Sequence, residues 1–233
     1  MSFDFIIMIE FKNVSKYYSE DCSALKEVTF SIRPKEFVSF VGRSGAGKTT
    51  LLRLLLKEEN PSEGEVLVDG KNIVTLKQKE IPIYRRKIGV VFQDFKLLPN
   101  KTAYENIAFA MEAAGRLEEE IAEDVPQILS LVELVDKADN FPCQLSGGEK
   151  QRVAIGRALV HKPDILMADE PTGNLDPLHT WDIIRLLCRI NELGTTVILA
   201  THDREIINAL SKRVISLDKG RLIRDEENGR YIV

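Results

Sequence analysis

The feature that most constrains this chain is a glycine-rich segment, residues 42–50, with the sequence GRSGAGKTT. The apolar, β-branched run before it, residues 37–41, is typical of a buried strand, and the leucine-rich run after it, residues 50–56, favours a helix. The segment matches G-x-x-x-x-G-K-[ST], in which backbone N–H groups at a helix N-terminus converge on a phosphate. The sequence therefore predicts a phosphate-binding loop (P-loop) within an α/β fold.

Each residue type in this loop suits a nucleoside triphosphate. The glycines let the backbone curl around an anion. Lys48 is predicted to reach the β- and γ-phosphates as a point charge, and the Thr49 hydroxyl to coordinate Mg²⁺. The loop residues predicted to bind ATP are Gly42, Arg43, Ser44, Gly45, Ala46, Gly47, Lys48, Thr49 and Thr50.

A second segment, residues 165–176 (ILMADEPTGNLD), supplies two adjacent carboxylates. Its apolar start predicts a central strand that delivers Asp169 and Glu170 to the edge where α/β sheets bind ligands. Asp169 is predicted to hold Mg²⁺ through water, and Glu170 to polarise the water that attacks the γ-phosphorus. A solvated strand end is the alternative, but a buried strand that follows a phosphate loop favours ATP hydrolysis.

A third segment, residues 145–152, reads LSGGEKQR. Ser146 and Glu149 fit a capping box at the start of a helix. The capping box does not require Gly147 and Gly148, whose missing side chains let a helix N-terminus approach a phosphate closely. The segment resembles the signature sequence of ATP-binding-cassette (ABC) ATPases, with Glu149 in the position where glutamine is usual.

The resemblance to ABC ATPases implies a fold and an assembly. The fold is a P-loop NTPase ABC cassette of the α/β class, with a RecA-like core, an antiparallel β subdomain and an inserted helical subdomain. We expect one ABC domain in residues 1–233, with core and β subdomain in 1–94 and 162–233 and the helical subdomain in 95–161. The family forms an ATP-bound homodimer, in which Ser146, Gly147, Gly148 and Glu149 of one protomer face the ATP held by its partner.

The same resemblance assigns roles to single residues. Gln93 matches the glutamine that contacts Mg²⁺ and the attacking water, and His202 matches the histidine that contacts the γ-phosphate. Both therefore join Lys48 and Glu170 as predicted catalytic residues. Asp176 matches the residue that communicates across the dimer interface. Tyr18 matches the aromatic residue that stacks on adenine, with Tyr17 as the alternative.

Residues 95–161 differ from the rest of the chain because they favour helices. Thr102 and Glu105 form a capping box that opens a predicted helix at 103–114, which Gly115 ends. A second helix is predicted at about 118–131, where Pro126 is expected to kink or delay it.

The segment after Gln93 carries the cues to the subtype. Residues 92–99 and 102–112 resemble the cell-division cassettes of bacteria, which implies an FtsX-like integral membrane subunit as partner. Exposed apolar side chains beside Gln93 would form a docking pocket for that subunit. The residues predicted to contact it are Phe95, Lys96, Leu97 and Leu98. In the alternative interpretation, the three apolar side chains of this group anchor the helical subdomain.

Two other functions stay open at this stage. Lipoprotein-release and macrolide-export cassettes share the EPTGNLD sequence of residues 170–176, so an exporter subunit is the first alternative. A soluble nucleotide-gated scaffold is the second. Soluble ABC proteins of translation fuse two cassettes and those of DNA repair split the cassette around coiled coils, and this sequence of 233 residues shows neither feature.

Composition limits the partners and the compartment. A formal net charge of −4 argues against nucleic-acid binding, which favours a basic face. Cys22, Cys143 and Cys188 have neither disulfide-framework nor zinc spacing, which fits a reducing compartment. Apolar runs such as residues 5–9 are far shorter than the roughly 18 residues of a membrane span. We therefore expect a peripheral protein on the cytoplasmic face of the cell membrane, with no assignable role for residues 1–7.

Overall fold

The structure is a computed structural model that describes residues 7–19 and 22–231. The strands in these ranges are β1 (Ile9–Ser19), β2 (Cys22–Ile32), β3 (Phe37–Val41), β4 (Glu63–Val68), β5 (Lys71–Asn72), β6 (Ile88–Phe92), β7 (Ile165–Asp169), β8 (Thr196–Ala200), β9 (Arg213–Asp218) and β10 (Arg221–Glu226). The α-helices are α1 (Lys48–Leu55), α2 (Ile81–Arg85), α3 (Ala103–Ala113), α4 (Glu118–Leu131), α5 (Gly147–Leu159), α6 (Pro177–Glu192) and α7 (Arg204–Leu210).

These strands form two sheets. An antiparallel sheet has the order β2-β1-β4-β5, and a six-stranded sheet has the order β10-β9-β3-β8-β7-β6. In the larger sheet β6, β7, β8, β3 and β9 are parallel, and β10 pairs antiparallel with β9 at the edge. Every residue of β3 and β8 is buried, as expected for strands covered on both faces. This architecture confirms the predicted α/β class with an additional antiparallel β sheet.

The strand β7 shows how the sheet separates two hydrophobic cores. Side chains alternate between the faces of a strand. Ile165 and Met167 therefore pack with α1 and the antiparallel sheet, whereas Leu166 and Ala168 pack with α3, α4, α5 and α6. Asp169, at the end of this strand, lies beyond both cores, at the carboxyl edge of the sheet.

The helices predicted within residues 95–161, which lie between β6 and β7 in the sequence, are present. Thr102 and Glu105 form the predicted capping box on α3, and Gly115 follows the helix with a positive φ of 74°. The helix α4 spans the predicted residues and contains Pro126, which does not delay its start. The division of the chain into a core and a helical subdomain stays a prediction.

In the two ranges that the structure describes, no helix is both long and apolar enough to cross a membrane. The predicted extension, residues 1–7, lies outside the described residues except for Ile7.

Candidate active site

A cavity of about 570 Å³ opens at the carboxyl edge of the six-stranded sheet. Strands β3, β7 and β8 end at this edge, so the loops that follow them converge there. The cavity is lined by Ala24, Arg43, Ser44, Gly45, Ala46, Gly47, Lys48, Thr49, Thr50, Gln93, Asp169, Glu170, His202 and Tyr231. The fold thus brings together most of the residues predicted to bind ATP and all of those predicted to be catalytic.

The phosphate loop is shaped by its last glycine. Gly47 has a φ of 109° and directly precedes α1 without making a side-chain cap. A Cβ atom at Gly47 would lie 2.8 Å from the carbonyl oxygen of Ala24, so a side chain has no room here. The N–H groups that begin a helix lack partners within the helix. The loop therefore presents uncapped N–H groups to the cavity, which favours an anion.

Lys48 lies inside this loop. The residue is only 7% exposed, and its Nζ donates a hydrogen bond to the carbonyl oxygen of Gly42 at 2.7 Å. The carbonyl oxygen of Arg43 accepts a second, longer bond at 3.4 Å. Both partners are neutral, so the ammonium charge is held at the cavity without a carboxylate neighbour among its hydrogen-bond partners. An anionic phosphate would supply the missing negative charge.

The side chains of Asp169 and Thr49 contact each other in the cavity. The Thr49 hydroxyl donates to Oδ2 of Asp169 at 3.3 Å. Burial raises the pKa of Asp169 above its ordinary value, and the bond from Thr49 opposes this only in part. A hydroxyl and a carboxylate are oxygen ligands of the kind that Mg²⁺ prefers, and the partly desolvated carboxylate favours a bound cation.

No cluster of three or more His, Cys, Asp or Glu side chains in residues 7–19 and 22–231 could hold a metal by itself. Mg²⁺ commonly takes only one or two protein carboxylates and completes its shell with substrate phosphates and water. Thr49, Asp169 and Gln93 fit such a site, because they line the same cavity as the phosphate loop.

The Glu170 carboxylate is held by two side chains that follow β8. His202 Nδ1 lies 2.7 Å from Oε1 of Glu170, and the Thr201 hydroxyl donates to Oε2 at 3.2 Å. The backbone of Glu170 has a positive φ of 48°, and its N–H donates to the Ala200 carbonyl at 2.8 Å. Non-glycine residues seldom adopt this conformation, and those that do cluster at functional sites. The carboxylate is thereby fixed at the cavity wall.

Gln93 is held in position by the loop that follows β7. Its Nε2 donates to Oδ1 of Asn174 at 3.4 Å, and Nδ2 of Asn174 donates to the Gln93 carbonyl at 3.0 Å. Gly173 leaves room for this side chain, since a Cβ there would lie 2.7 Å from Gln93 Nε2. The amide therefore has a defined position in the cavity that the predicted catalytic carboxylate also lines.

The signature residues Ser146, Gly147, Gly148 and Glu149 are not among the described residues that line the cavity. The Ser146 hydroxyl accepts from the Glu149 N–H at 3.2 Å, and Glu149 Oε2 accepts from the Ser146 N–H at 2.8 Å. This confirms the predicted capping box, and these bonds lower the pKa of Glu149. The signature helix α5 thus begins outside the cavity of its own chain.

Asp176 lies outside the cavity too, next to the signature. Its Oδ1 accepts from the N–H groups of Leu178 and His179 at 3.0 and 3.1 Å, so it caps α6. Its Oδ2 pairs with Nδ1 of His179, and this bond lowers the pKa of Asp176. The His179 ring packs against Gly148, where a Cβ would lie 2.7 Å from its Cδ2.

Tyr18 is likewise not among the described residues of the cavity wall. Its side chain is half exposed, and its hydroxyl lies 2.8 Å from Oε2 of Glu59. Lys16 Nζ lies 5.3 Å from the centre of the ring. Tyr17, the alternative, lines a separate surface pocket that also includes Gly45. The role of stacking on adenine stays a prediction for Tyr18.

The segment predicted to dock a membrane subunit is less exposed than expected. Phe95, Leu97 and Leu98 are each partly buried, and Leu97 packs against the core formed with α3–α6. The expectation of three exposed apolar side chains is therefore wrong, and the anchoring alternative describes Leu97. The backbone of the segment is also bound to a distant helix, a contact that the local sequence does not reveal, since Arg157 of α5 donates to the carbonyl oxygens of Lys96 and Phe95 at 2.6 and 2.9 Å.

Asn106 fixes the end of the same segment. This buried side chain accepts from the Leu98 N–H at 2.8 Å and donates to the Leu98 carbonyl at 3.1 Å. Phe95 and Lys96 both have a positive φ, of 56° and 48°. The segment is therefore shaped by bonds from α3 and α5, and its predicted contact with a partner stays a prediction.

Sequence reasoning assigned no role to Ala24, Thr201 or Tyr231. Thr201 bonds to Glu170, and its only local signal is its place just before His202. Tyr231 lines the cavity from near the C-terminus, where no motif predicts it.

Comparisons with known proteins place the chain in a family. A family model described as "ABC transporter" matches residues 25–173. The chain is 51% identical over 224 residues to the cell division ATP-binding protein FtsE of Bacillus subtilis (strain 168), covering 96% of this chain and 98% of that protein. It is 47% identical over 215 residues to the protein of the same name from Escherichia coli (strain K12), covering 92% and 97%.

Solved structures agree with this placement. The ATP-binding cassette MJ0796, as a dimer in a post-hydrolysis state bound to ADP and Pi, is 39% identical with a TM-score of 0.84, covering 96% of this chain and 100% of that one. The cassette cbiO1 of Clostridium perfringens, part of the ABC transporter complex cbiONQ, is 33% identical with a TM-score of 0.88, covering 95% and 88%. The chain therefore belongs to the ABC transporter family of ATPases, and within it to the FtsE group of cell division ATP-binding proteins.

Proposed function

We propose that this chain is the ATP-hydrolysing subunit of a membrane ABC complex in bacterial cell division, where it acts with an FtsX-like integral membrane subunit. The observation that carries the enzymatic part is the Glu170 carboxylate, which Thr201 and His202 hold at the wall of the cavity that contains the phosphate loop. The similarity to FtsE proteins over nearly the whole chain supports the role in cell division.

ATP binding begins at the phosphate loop. The uncapped N–H groups at the start of α1 and the ammonium of Lys48 stabilise the β- and γ-phosphates. Thr49, Asp169 and Gln93 would hold Mg²⁺, which supplies charge neutralisation to the phosphate oxygens when bound. Tyr18 is assigned to the adenine ring, on the family resemblance alone.

Hydrolysis then depends on the position of Glu170. Its carboxylate accepts a hydrogen bond from a water molecule and orients that water towards the γ-phosphorus. A bond forms between the water oxygen and the γ-phosphorus as the bond to the β–γ bridging oxygen breaks, and one water proton passes to the Glu170 carboxylate and then to solvent, which gives ADP and phosphate. His202 and Gln93 flank the reacting group, and preorganised charge, with Lys48 the main contribution from this chain, carries most of the rate enhancement.

A second copy of the chain completes the site. The signature helix α5 begins outside the cavity of its own chain. Ser146 is its N-cap, and Gly147 and Gly148 are its first two residues. In the proposed homodimer, Ser146, Gly147, Gly148 and Glu149 of one protomer face the ATP of the other, and Asp176 lies at the interface. ATP thus closes the dimer, and hydrolysis reopens it.

Closure is proposed to act on the membrane subunit through the segment after Gln93. Arg157 and Asn106 connect this segment to α5 and α3, so a shift of these helices would move Phe95, Lys96, Leu97 and Leu98. The protein would then lie on the cytoplasmic face of the membrane, bound through its partner.

The enzymatic part is tested with a Glu170→Gln variant, which keeps the shape of the side chain and removes its charge. We expect hydrolysis to fall by about 10²-fold or more and the mass in light scattering to double when ATP is added. An exposed glutamate on α4, changed as Glu123→Gln, is the matched control and should leave both unchanged. Fast turnover by the Glu170→Gln variant would refute the assignment.

The partner is tested by affinity capture of the Glu170→Gln variant from membranes of its own cell with ATP present, followed by mass spectrometry. Recovery of an FtsX-like subunit supports the proposal. Recovery of an exporter permease would favour the first alternative, an exporter subunit. Recovery of ribosomal or DNA-bound proteins alone would favour a soluble scaffold. The Lys48→Ala variant controls for capture that does not depend on ATP.

A further inference from the structure

An aromatic side chain from outside every predicted motif lines the phosphate cavity. Tyr231 shares its wall with Arg43, Ser44, Glu170 and His202. No role in the proposed reaction accounts for this residue, although the cavity contains the residues proposed to bind and hydrolyse ATP.

The backbone before Tyr231 is fixed along the surface of the core. The Gly229 N–H donates to the Lys212 carbonyl at 3.1 Å. Gly229 also packs closely on Val214, since a Cβ at this glycine would lie 2.6 Å from the Cβ of Val214. The Tyr231 N–H donates to Oδ1 of Asn208 at 3.0 Å. The tyrosine is therefore held at the cavity by specific contacts with β9 and α7.

The ring of Tyr231 has two different neighbours. One is a small apolar cluster of Val41, Ile207 and Val214, against which it packs. The other is the guanidinium of Arg204, whose central carbon lies 5.4 Å from the ring centroid, within the range of a cation–π interaction. The ring therefore contacts both the apolar cluster and the guanidinium of Arg204, a residue that is not itself among the described residues of the cavity wall.

These contacts place Tyr231 at one end of the cavity. Arg204 is the first residue of α7 and follows His202 by two positions, and Asn208 lies one turn further along the same helix face. Val41 directly precedes the phosphate loop. Tyr231 thus lies at the His202 end, which is the γ-phosphate end if the proposed function is correct.

Arg204 is exposed at the start of α7. In residues 7–19 and 22–231, no carboxylate forms an ion pair with its guanidinium. Its contact with the Tyr231 ring limits the conformations of a long, flexible side chain. A cation held in this way at the terminal-phosphate end would favour a triphosphate over a diphosphate, because only the triphosphate brings negative charge there.

We propose that Tyr231 is an additional nucleotide-binding residue, which holds Arg204 beside the terminal phosphate and so favours ATP over ADP. The proposal rests on the proposed function, in which His202 marks the γ-phosphate. It extends the site to residues that lie outside the phosphate loop, the signature and the other motifs of the chain.

The test compares the affinities for ATP and ADP by calorimetry without magnesium, so that ATP is not hydrolysed during the titration. Tyr231→Leu keeps an apolar side chain against the cluster and removes the ring, whereas Tyr231→Phe keeps the ring. Arg204→Gln removes the charge from an exposed position and leaves the packing of the ring intact. Arg185→Gln, on the exposed face of α6, is the matched control for loss of a surface charge.

We expect Tyr231→Leu and Arg204→Gln each to weaken ATP binding about twofold to fivefold, with ADP binding unchanged. The double variant should be no weaker than either single variant, because both remove the same interaction. Tyr231→Phe and Arg185→Gln should bind as the wild type does. Equal losses for ATP and ADP, additive losses in the double variant, or unchanged ATP binding by Arg204→Gln would overturn the proposal.

Failure of this inference is distinguishable from failure of the proposed function. If the wild-type chain binds ATP and the Glu170→Gln variant stops hydrolysis, the proposed function stands whatever the Tyr231 variants do. If the wild-type chain binds neither nucleotide, both proposals fail together.

Discussion

His202 Nδ1 lies 2.7 Å from Oε1 of Glu170, and this contact joins the loops that follow two neighbouring strands of the sheet. The Glu170 side chain is 17% exposed, whereas that of His202 is 68% exposed. The histidine therefore covers the carboxylate on the open side of the cavity, while Thr201 bonds to its other oxygen. Glu170 is thus oriented before any substrate binds.

Replacement of His202 by alanine should lower kcat about 10²-fold with little change in KM, because Glu170 loses a group that orients it and the terminal phosphate loses a contact. Phosphate release under saturating ATP measures this directly. The matched control is His161→Ala, since His161 lies outside the cavity and burial lowers its pKa, which favours the neutral ring. Equal losses in the two variants, or an unchanged kcat for His202→Ala, would contradict a role for His202 in the reaction.

Replacement of Lys48 by alanine should abolish measurable nucleotide binding in a calorimetric titration. The ammonium is buried at the loop with only carbonyl partners, so its charge is available to the phosphates. We expect affinity to fall by at least about 10²-fold, as for loss of a charged hydrogen-bond partner. An exposed lysine changed as Lys79→Ala provides the control. Unchanged ATP affinity in Lys48→Ala would refute the position assigned to the phosphates.

The Asp169→Asn variant should be more stable than the wild type at neutral pH but less active in ATP hydrolysis. Burial raises the pKa of Asp169, so the folded protein binds the proton more tightly than the unfolded chain does. The contribution of this carboxyl to the free energy of unfolding is therefore greatest in acid and decreases as the pH rises through the raised pKa. At neutral pH without nucleotide, the Asp169→Asn variant should melt at a higher temperature than the wild type.

The difference in melting temperature should narrow as the pH falls towards the ordinary range of an aspartic acid. Hydrolysis by the same variant should fall by about 10²-fold or more, because Mg²⁺ loses its carboxylate ligand. Thermal melts over a series of pH values and an assay of phosphate release measure the two effects. A variant that is less stable than the wild type at neutral pH would show that the Thr49 bond outweighs the cost of burial.

Much of this site could be predicted because its chemistry lies in short segments. The loop around Lys48 and the pair Asp169 and Glu170 each follow a buried strand, and parallel strands bring their carboxyl ends to one edge. The helix starts at Thr102 and Ser146 could also be predicted from the sequence, since a capping box is contained within four residues.

The parts that could not be predicted depend on contacts between distant residues. Tyr231 reaches the cavity through Asn208 and Gly229, and no periodicity in the sequence indicates that path. Phe95 and its neighbours were predicted to be exposed because the family resemblance implies that this segment contacts a membrane subunit. Arg157, 62 positions further along the chain, donates to the Phe95 carbonyl and so connects the segment to α5.

Ser146→Ala should distinguish the structural role of the signature from its role in a dimer. Its hydroxyl accepts from the Glu149 N–H at 3.2 Å, and the Thr102 hydroxyl accepts from the Glu105 N–H at the same distance. Loss of either cap should cost about 1 kcal/mol of stability. Thr102→Ala is therefore a control of equal geometry on a different helix.

We expect both variants to show a similar fall in the free energy of unfolding in denaturant titrations. Only Ser146→Ala should also lose ATP hydrolysis, by about tenfold or more, because only α5 is proposed to face the ATP of a second protomer. Its ATP affinity as a monomer should stay unchanged, since Ser146 lies outside its own cavity. If Thr102→Ala lost hydrolysis to the same extent, the effect of Ser146 would be one of helix stability, and the signature would have no separate role in catalysis.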